Sequence, residues 1–180
     1  MRISLKSITL GGEIALNLVN ALDALAPRLF ENELVSIHKV ASEDDIGYAV
    51  CECSLSAEQK NMVNPAGFSI ARAWLNPQNN YPCIIKNSFG ERVGFIMLCK
   101  WLADGEALSW SYYIDTRCQG RGYGSAAAKV AICVLKAACP SLPIKLSTEV
   151  GNVRAQSLYT RLGFRFEGEY DGDDMVFILD

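Results

Sequence analysis

The chain has 180 residues; half are apolar, about a fifth are charged, and the formal charge is −3. That composition belongs to a folded domain and excludes disordered, collagen-like and coiled-coil chains. At roughly 150 residues per domain, the length predicts one domain with a small appendage. No uncharged apolar run reaches the ~18 residues of a membrane span, and the slight acidity argues against nucleic acid as a main partner. Glu13 and Asp23 interrupt the apolar stretch after Arg2 and Lys6. A secretory leader carries no acids there, so the cytoplasm is the expected location. The seven cysteines (Cys51, Cys53, Cys83, Cys99, Cys118, Cys133 and Cys139) contain no Cys-x-x-Cys pair, and His38 is the single histidine. The expectation is reduced thiols packed as small apolar residues and no metal site.

Arg2 to Ile8 alternates charged or hydroxyl residues with branched apolar ones and reads as a strand, broken by Gly11-Gly12. Ile14, Leu18, Leu22 and Leu25 then recur at helical spacing up to Pro27. Residues 1–33 thus form a β-α extension. The apolar stripe of its helix needs a partner, either the chain's own core or a second subunit of a homodimer. Leu34 to Val40 is a second strand, and Ser42-Glu43-Asp44-Asp45 resembles a capping box opening a helix to about Cys53. A short helix from Phe68 to Leu75 stops ahead of Pro77. Tyr81 to Lys86 and Arg92 to Lys100 are strands joined across Asn87-Ser88-Phe89-Gly90. The turn Ala103-Asp104-Gly105-Glu106 leads into an aromatic strand, Ala107 to Asp115. Gly122 to Ala138 has a broad apolar helical face and is stopped by Pro140. Ile144 to Thr148 is a strand, and Asn152 to Leu162 is a helix ended by Gly163. Phe164 to Tyr170 and Asp174 to Leu179 are strands joined at Asp171-Gly172-Asp173. The order β-α-α-β-β-β-α-β-α-β-β mixes antiparallel hairpins with a strand-helix-strand crossover. It predicts an α+β fold around one mixed sheet.

Chemistry concentrates in Ile114 to Ser125, where a strand ends, a glycine-rich loop follows and a long apolar helix begins. Glycines let the backbone approach a ligand closely, and the first N–H groups of the helix are unpaired and favour an anion. A Walker loop is excluded because no Gly-Lys-Ser/Thr follows. Gly120-x-Gly122-x-Gly124 also lacks the spacing of a dinucleotide fingerprint.

Gln119-x-x-Gly122-x-Gly124 resembles the Gln/Arg-x-x-Gly-x-Gly/Ala signature of the GNAT superfamily of N-acetyltransferases. Asn152-x-x-Ala155-x-x-Leu158-Tyr159-x-x-Leu162-Gly163-Phe164 resembles that superfamily's second block, in the expected order and about thirty residues on. The resemblance covers about residues 34–179, so residues 34–180 are taken as the acetyltransferase domain. It implies a mixed, mostly antiparallel central sheet flanked by helices. A finer likeness to bacterial spermine/spermidine acetyltransferases lies in Gln59-x-x-Met62-Val63-Asn64, Phe68-Ser69-Ile70-Ala71, Val93-Gly94-Phe95-Ile96-Met97 and Asp171-Gly172-Asp173. It implies a small-molecule amine acceptor such as spermidine.

The resemblance implies acetyl-CoA as cosubstrate, with its pantetheine along Tyr112 and Ile114. The backbone of Gln119, Gly120, Arg121, Gly122, Tyr123, Gly124 and Ser125 would hold the pyrophosphate, with Arg121 adding a cation. Asn152 would reach the pantetheine or acetyl end, a role compatible with capping its helix. Tyr159 would be the general acid that protonates the departing thiolate. Some relatives carry a glutamate on the strand before the loop, but Leu108 to Ile114 has no acid here. Glu149 is therefore the candidate base, acting through water. Trp110 and Tyr112 fall on one strand face and Tyr113 on the other; Trp110 and Tyr113 are candidates to line the acceptor pocket, where rings suit a cationic amine. The acids Glu167, Glu169, Asp171, Asp173 and Asp174 would attract a polyamine if the last hairpin overhangs that pocket. Cys118 adjoins the loop without a histidine partner, so the expected route is direct transfer in a ternary complex. The rival readings are an acetyltransferase for a protein or antibiotic amine and a non-catalytic CoA-binding sensor.

Overall fold

The structure is a computed structural model describing residues 17–57, 59–101 and 106–180. The strand expected over 2–8 and the turn over 103–105 lie outside these residues. Seven strands form one sheet: β1 (Val35–Lys39), β2 (Asn80–Asn87), β3 (Arg92–Trp101), β4 (Ala107–Ile114), β5 (Ile144–Glu149), β6 (Arg165–Asp171) and β7 (Asp174–Leu179). Their spatial order is β1-β2-β3-β4-β5-β7-β6. Every pairing is antiparallel except that of β4 with β5. The expected mixed, mostly antiparallel sheet is therefore present. The crossover between the parallel strands is α4 (Tyr123–Ala138), as a parallel connection requires.

The two faces carry separate cores. On one, α4 lays Ala127, Val130, Ala131, Val134 and Leu135 against Leu98, Leu108 and Ile144. On the other, α3 (Ala66–Leu75) brings Ala66 and Ala73 over Ile84, Phe95 and Met97. Helix α3 begins two residues ahead of the expected Phe68, because Pro65 stands just before its first turn, where a missing N–H costs nothing. The expected helix after Ser42 is α2 (Glu43–Gly47), capped by the Ser42 hydroxyl on the Asp45 N–H, and it runs on as a π turn over Tyr48–Glu52. Asp45 accepts from the N–H of Ala41 rather than closing a reciprocal box on Ser42.

The described part of the extension's helix is α1 (Leu18–Asp23). Leu18 and Leu22 are fully buried in the same core as α4, so these two residues of the stripe are covered by the chain's own interior. Asp23 ties the helix down, accepting from the Tyr81 hydroxyl at 2.7 Å and pairing with Lys39. Beyond α1 the chain turns through a 3₁₀ segment, Pro27–Phe30. All seven cysteines are free thiols. Among the described residues, no helix is long and apolar enough to cross a membrane.

Gly94 on β3 sits opposite Ile114, where a Cβ would lie 2.5 Å from the Tyr113 carbonyl oxygen and 3.2 Å from the Ile114 Cα. Backbone cannot yield as a side chain tip does. Gly94→Ala is therefore expected to destabilise the fold by about 3 kcal/mol, lowering the melting temperature by roughly 6–12 °C for a chain of this size. A melt that matches the parent would refute that close approach.

Candidate active site

β4 and β5 pair at Leu108 and Ile144, where the Leu108 N–H also reaches the Pro143 carbonyl at 2.8 Å. Beyond that point the described residues of the two strands form no further pair, and they part. The β5-facing backbone of β4 ahead of the Ile114 carbonyl, which the Gln119 amide takes at 2.8 Å, is thus left for a ligand, since main-chain groups inside a protein need partners. A cleft of about 960 Å³ opens at the parting and reaches both faces of the sheet.

At its upper end β4 runs into a loop that turns at Gly120 (φ 78°) and Gly122 (φ 83°) and enters α4. Both angles are left-handed, where a side chain costs about 1–2 kcal/mol. Gly122 caps α4 without a side-chain acceptor, so the first N–H groups of the helix remain open for an anion. Gly124 keeps this end narrow: a Cβ there would stand 3.4 Å from the Tyr112 hydroxyl.

Helix α5 (Val153–Arg161) forms the opposite wall. Asn152 caps it, its Oδ1 accepting from the Ala155 N–H at 3.1 Å. Gly163, at φ 92°, turns the chain out of it. Tyr159 projects from its last turn into an aromatic nest, 5.8 Å from the Phe164 ring and 5.7 Å from that of Phe177. Burial pushes its phenol up to about 12. Tyr112 is raised further, by burial and by the neighbouring Tyr159, against the opposing charge of Arg154.

The cleft gathers Tyr159, Glu149, Trp110, Tyr112, Tyr113, Ile114, Gln119, Gly120, Gly122, Tyr123, Gly124, Ser125 and Asn152. Arg121 is the exception. Its guanidinium lies over the Arg117 carbonyl, off the cleft wall, while Arg154 and Arg161 of α5 line it. Gln119 spends its side-chain amide inside the chain, donating to the Ile114 carbonyl at 2.8 Å and to Gln59 at 2.9 Å. The Tyr113 hydroxyl donates to the Ala49 carbonyl, which leaves its ring to the cleft. Trp110 is on the other face, edge-on to Phe164, and its buried indole N–H has no partner among the described residues. Of the acids on the last hairpin, Asp174 lines the cleft, beside Glu149 across the β5–β7 pair; Glu169 pairs with Lys145 and Glu167 with Arg165. Cys118 lines the cleft but no histidine does; His38 is on β1, bonded to Ser36.

Sequence reasoning missed Arg72, Ser69 and Asn80 on the α3 face, and Arg154. Arg154 lies two residues past the Asn152 cap, a position that a reading of the first turn for phosphate cations would have flagged.

A parted parallel pair beside an open helix N-terminus is the architecture of N-acetyltransferases that draw on acetyl-CoA. The sequence matches the model of the acetyltransferase (GNAT) family over residues 49–164, and the chain belongs to that family. Acetyltransferases of this family take the acetyl group from acetyl-CoA. Solved structures share the fold. An acetyltransferase from Agrobacterium tumefaciens superposes with a TM-score of 0.63 at 15% identity, covering 83% of this chain and 92% of that one. Mycobacterium smegmatis RimJ, in complex with CoA-disulfide, gives 0.64 at 17% identity, covering 81% of each chain. Spermidine N-acetyltransferase from Vibrio cholerae, in complex with CoA and spermine, gives 0.63 at 15% identity, covering 82% and 94%. No curated protein matches the chain.

Proposed function

We propose that the protein transfers the acetyl group of acetyl-CoA to a primary amine by direct attack in a ternary complex. The observation that carries this reading is Tyr159, a partly buried phenol held protonated on the wall of a cleft that begins at an open helix N-terminus. Acetyl-CoA supplies an activated thioester carbonyl. The residues fit its length: the parted backbone at Tyr112 and Ile114 for the pantetheine, and the Gln119–Ser125 backbone for the pyrophosphate. Arg154 is the cation for the phosphates in place of Arg121, because it stands on the cleft wall. The free amide donor of Asn152 serves the pantetheine or acetyl end.

Tyr159 Oη keeps its proton through the neutral range and donates it to the departing sulfur. Glu149, at the mouth between β5 and α5, accepts the amine's proton through water. The cleft's two open faces suit simultaneous entry of donor and acceptor from opposite sides of the sheet. Among the described residues Cys118 has no histidine partner of the kind an acyl-enzyme requires.

Thiol release from acetyl-CoA with a panel of amines (spermidine, spermine, lysine peptides, aminoglycosides and amino acids) tests this reading. Saturable turnover with intersecting double-reciprocal lines is expected. Parallel lines, the mark of a ping-pong route, would sink the ternary complex. Tight acetyl-CoA binding with no turnover on any amine would favour a binding module.

A further inference from the structure

The half of the cleft on the α3 face has a charge pattern that acetyl transfer alone does not explain. Its floor comes from β3 and β4, whose register sets Met97 beside Ser111 and Cys99 beside Ser109. Over it stand Ser69 and Arg72, three residues apart on one face of α3. Asn80 closes the end. Ser69 is 5% and Ser109 8% exposed, so these hydroxyls are shielded from bulk water. Burial pushes the Cys99 thiol up to about 11, while the Arg72 charge acts on it in the opposite direction; Arg72 itself is exposed and lines the cleft. Arg72 forms no ion pair among the described residues. No carboxylate among the described residues lines this half; Glu149 and Asp174 stand across the parting, on β5 and β7.

An unpaired arginine above shielded hydroxyls is matched to a carboxylate, because its planar fork meets two oxygens at once. A polyamine would set a second ammonium against the same guanidinium, which is repulsive. We propose that the acetyl acceptor is an amine that also carries a carboxylate, of amino-acid type, with Arg72 and Ser69 holding the carboxylate and the amine turned toward the parted strands. This rests on the acetyl-transfer reading for the reaction, though not for the binding.

Initial rates of CoA release are measured with alanine, methionine and phenylalanine, each against its carboxamide, and with spermidine. The free acids are expected to exceed their amides in kcat/KM by about tenfold or more, the scale of one charge-assisted pair, with the difference in KM. Arg72→Gln is expected to abolish that preference, and Arg72→Lys, which keeps the charge without the fork, to restore part of it. Equal use of acid and amide, a preference for spermidine, or selectivity that survives Arg72→Gln in a protein of unchanged melting temperature overturns the proposal. Calorimetric titration of acids and amides into the CoA-saturated protein separates the two readings. Arg72-dependent binding of the acids with no turnover sinks the acetyl-transfer reading and upholds this one. Turnover of other amines with no binding of the acids does the reverse.

Discussion

Replacing Tyr159 by phenylalanine is expected to lower kcat by about 10²–10⁴-fold, the usual range for a lost general acid, with acetyl-CoA affinity unchanged within twofold. The ring's contacts with Phe164 and Phe177 survive the change, and burial is the cause of the phenol's raised pKa. The variant therefore loses a proton donor and little packing. The measurements are thiol release at saturating acetyl-CoA, calorimetric acetyl-CoA binding and a thermal melt. A retained kcat would remove Tyr159 from the chemistry and leave the CoA-binding sensor as the better reading. The pH dependence carries a second check. A phenol raised to about 12 stays protonated across the whole neutral range, so Tyr159 sets no alkaline limb below that pH. Loss of rate between pH 8 and 10 traceable to this residue would mean that the phenol is far less buried in the working enzyme. The acid limb belongs to the amine and its base, because the attacking nitrogen must be unprotonated.

What could be read ahead of the fold was whatever depends on neighbours in sequence. Gly122, Asn152 and Gly163 occupy positions that backbone angles and caps dictate locally, and the alternation along β4 placed Trp110 and Tyr112 opposite Tyr113. The two signature-like blocks and the helices they open are local in the same sense. What escaped was set by packing between distant segments. Arg72 matters because α3 packs over β2 and β3 through Ala66 and Ala73, and nothing in Phe68 to Leu75 announces which strands that helix will cover. Gln119 has the right residue type for the loop, yet Gln59, sixty positions away, shares its amide. Arg121 sits in the loop that suggested it but turns to the Arg117 carbonyl, while the cation on the cleft wall comes from α5. The Tyr113 hydroxyl meets Ala49 in a π turn that periodicity reads as ordinary helix. Side-chain direction at a site is thus a tertiary property even where the backbone motif is local.

Asp115, where β4 enters the glycine-rich loop, is expected to be the residue whose loss most loosens the site without touching a ligand. It is 1% exposed. It accepts from the Arg117 backbone N–H at 3.0 Å and from the Arg117 guanidinium, and also from the Ser54 hydroxyl at 3.2 Å. Arg117 in turn donates to the Glu52 carbonyl, and the Thr116 N–H to that of Ser54. One carboxylate thus joins the start of the loop to the segment after the π turn that rims the acceptor half. The Arg117 hydrogen bonds hold the Asp115 carboxyl at about 2 against the opposing effect of burial. A carboxylate lowered that far below its unfolded value contributes roughly 2–3 kcal/mol above pH ~4. The sign is fixed: that stability is fully present above the unfolded pKa and drains away as pH falls from about 4 toward 2. Asp115→Asn keeps the shape and the cap but not the charge, so its melting temperature should fall by roughly 5–10 °C at pH 7. The deficit should close as the parent is taken down to pH 2. A variant that melts with the parent at neutral pH, or a gap that widens in acid, would show that the carboxylate does not tie the loop down. The same variant should raise the KM for acetyl-CoA more than it lowers kcat, because a loosened loop start disturbs the N–H groups aimed at the phosphates while Tyr159, on the opposite wall, keeps its place.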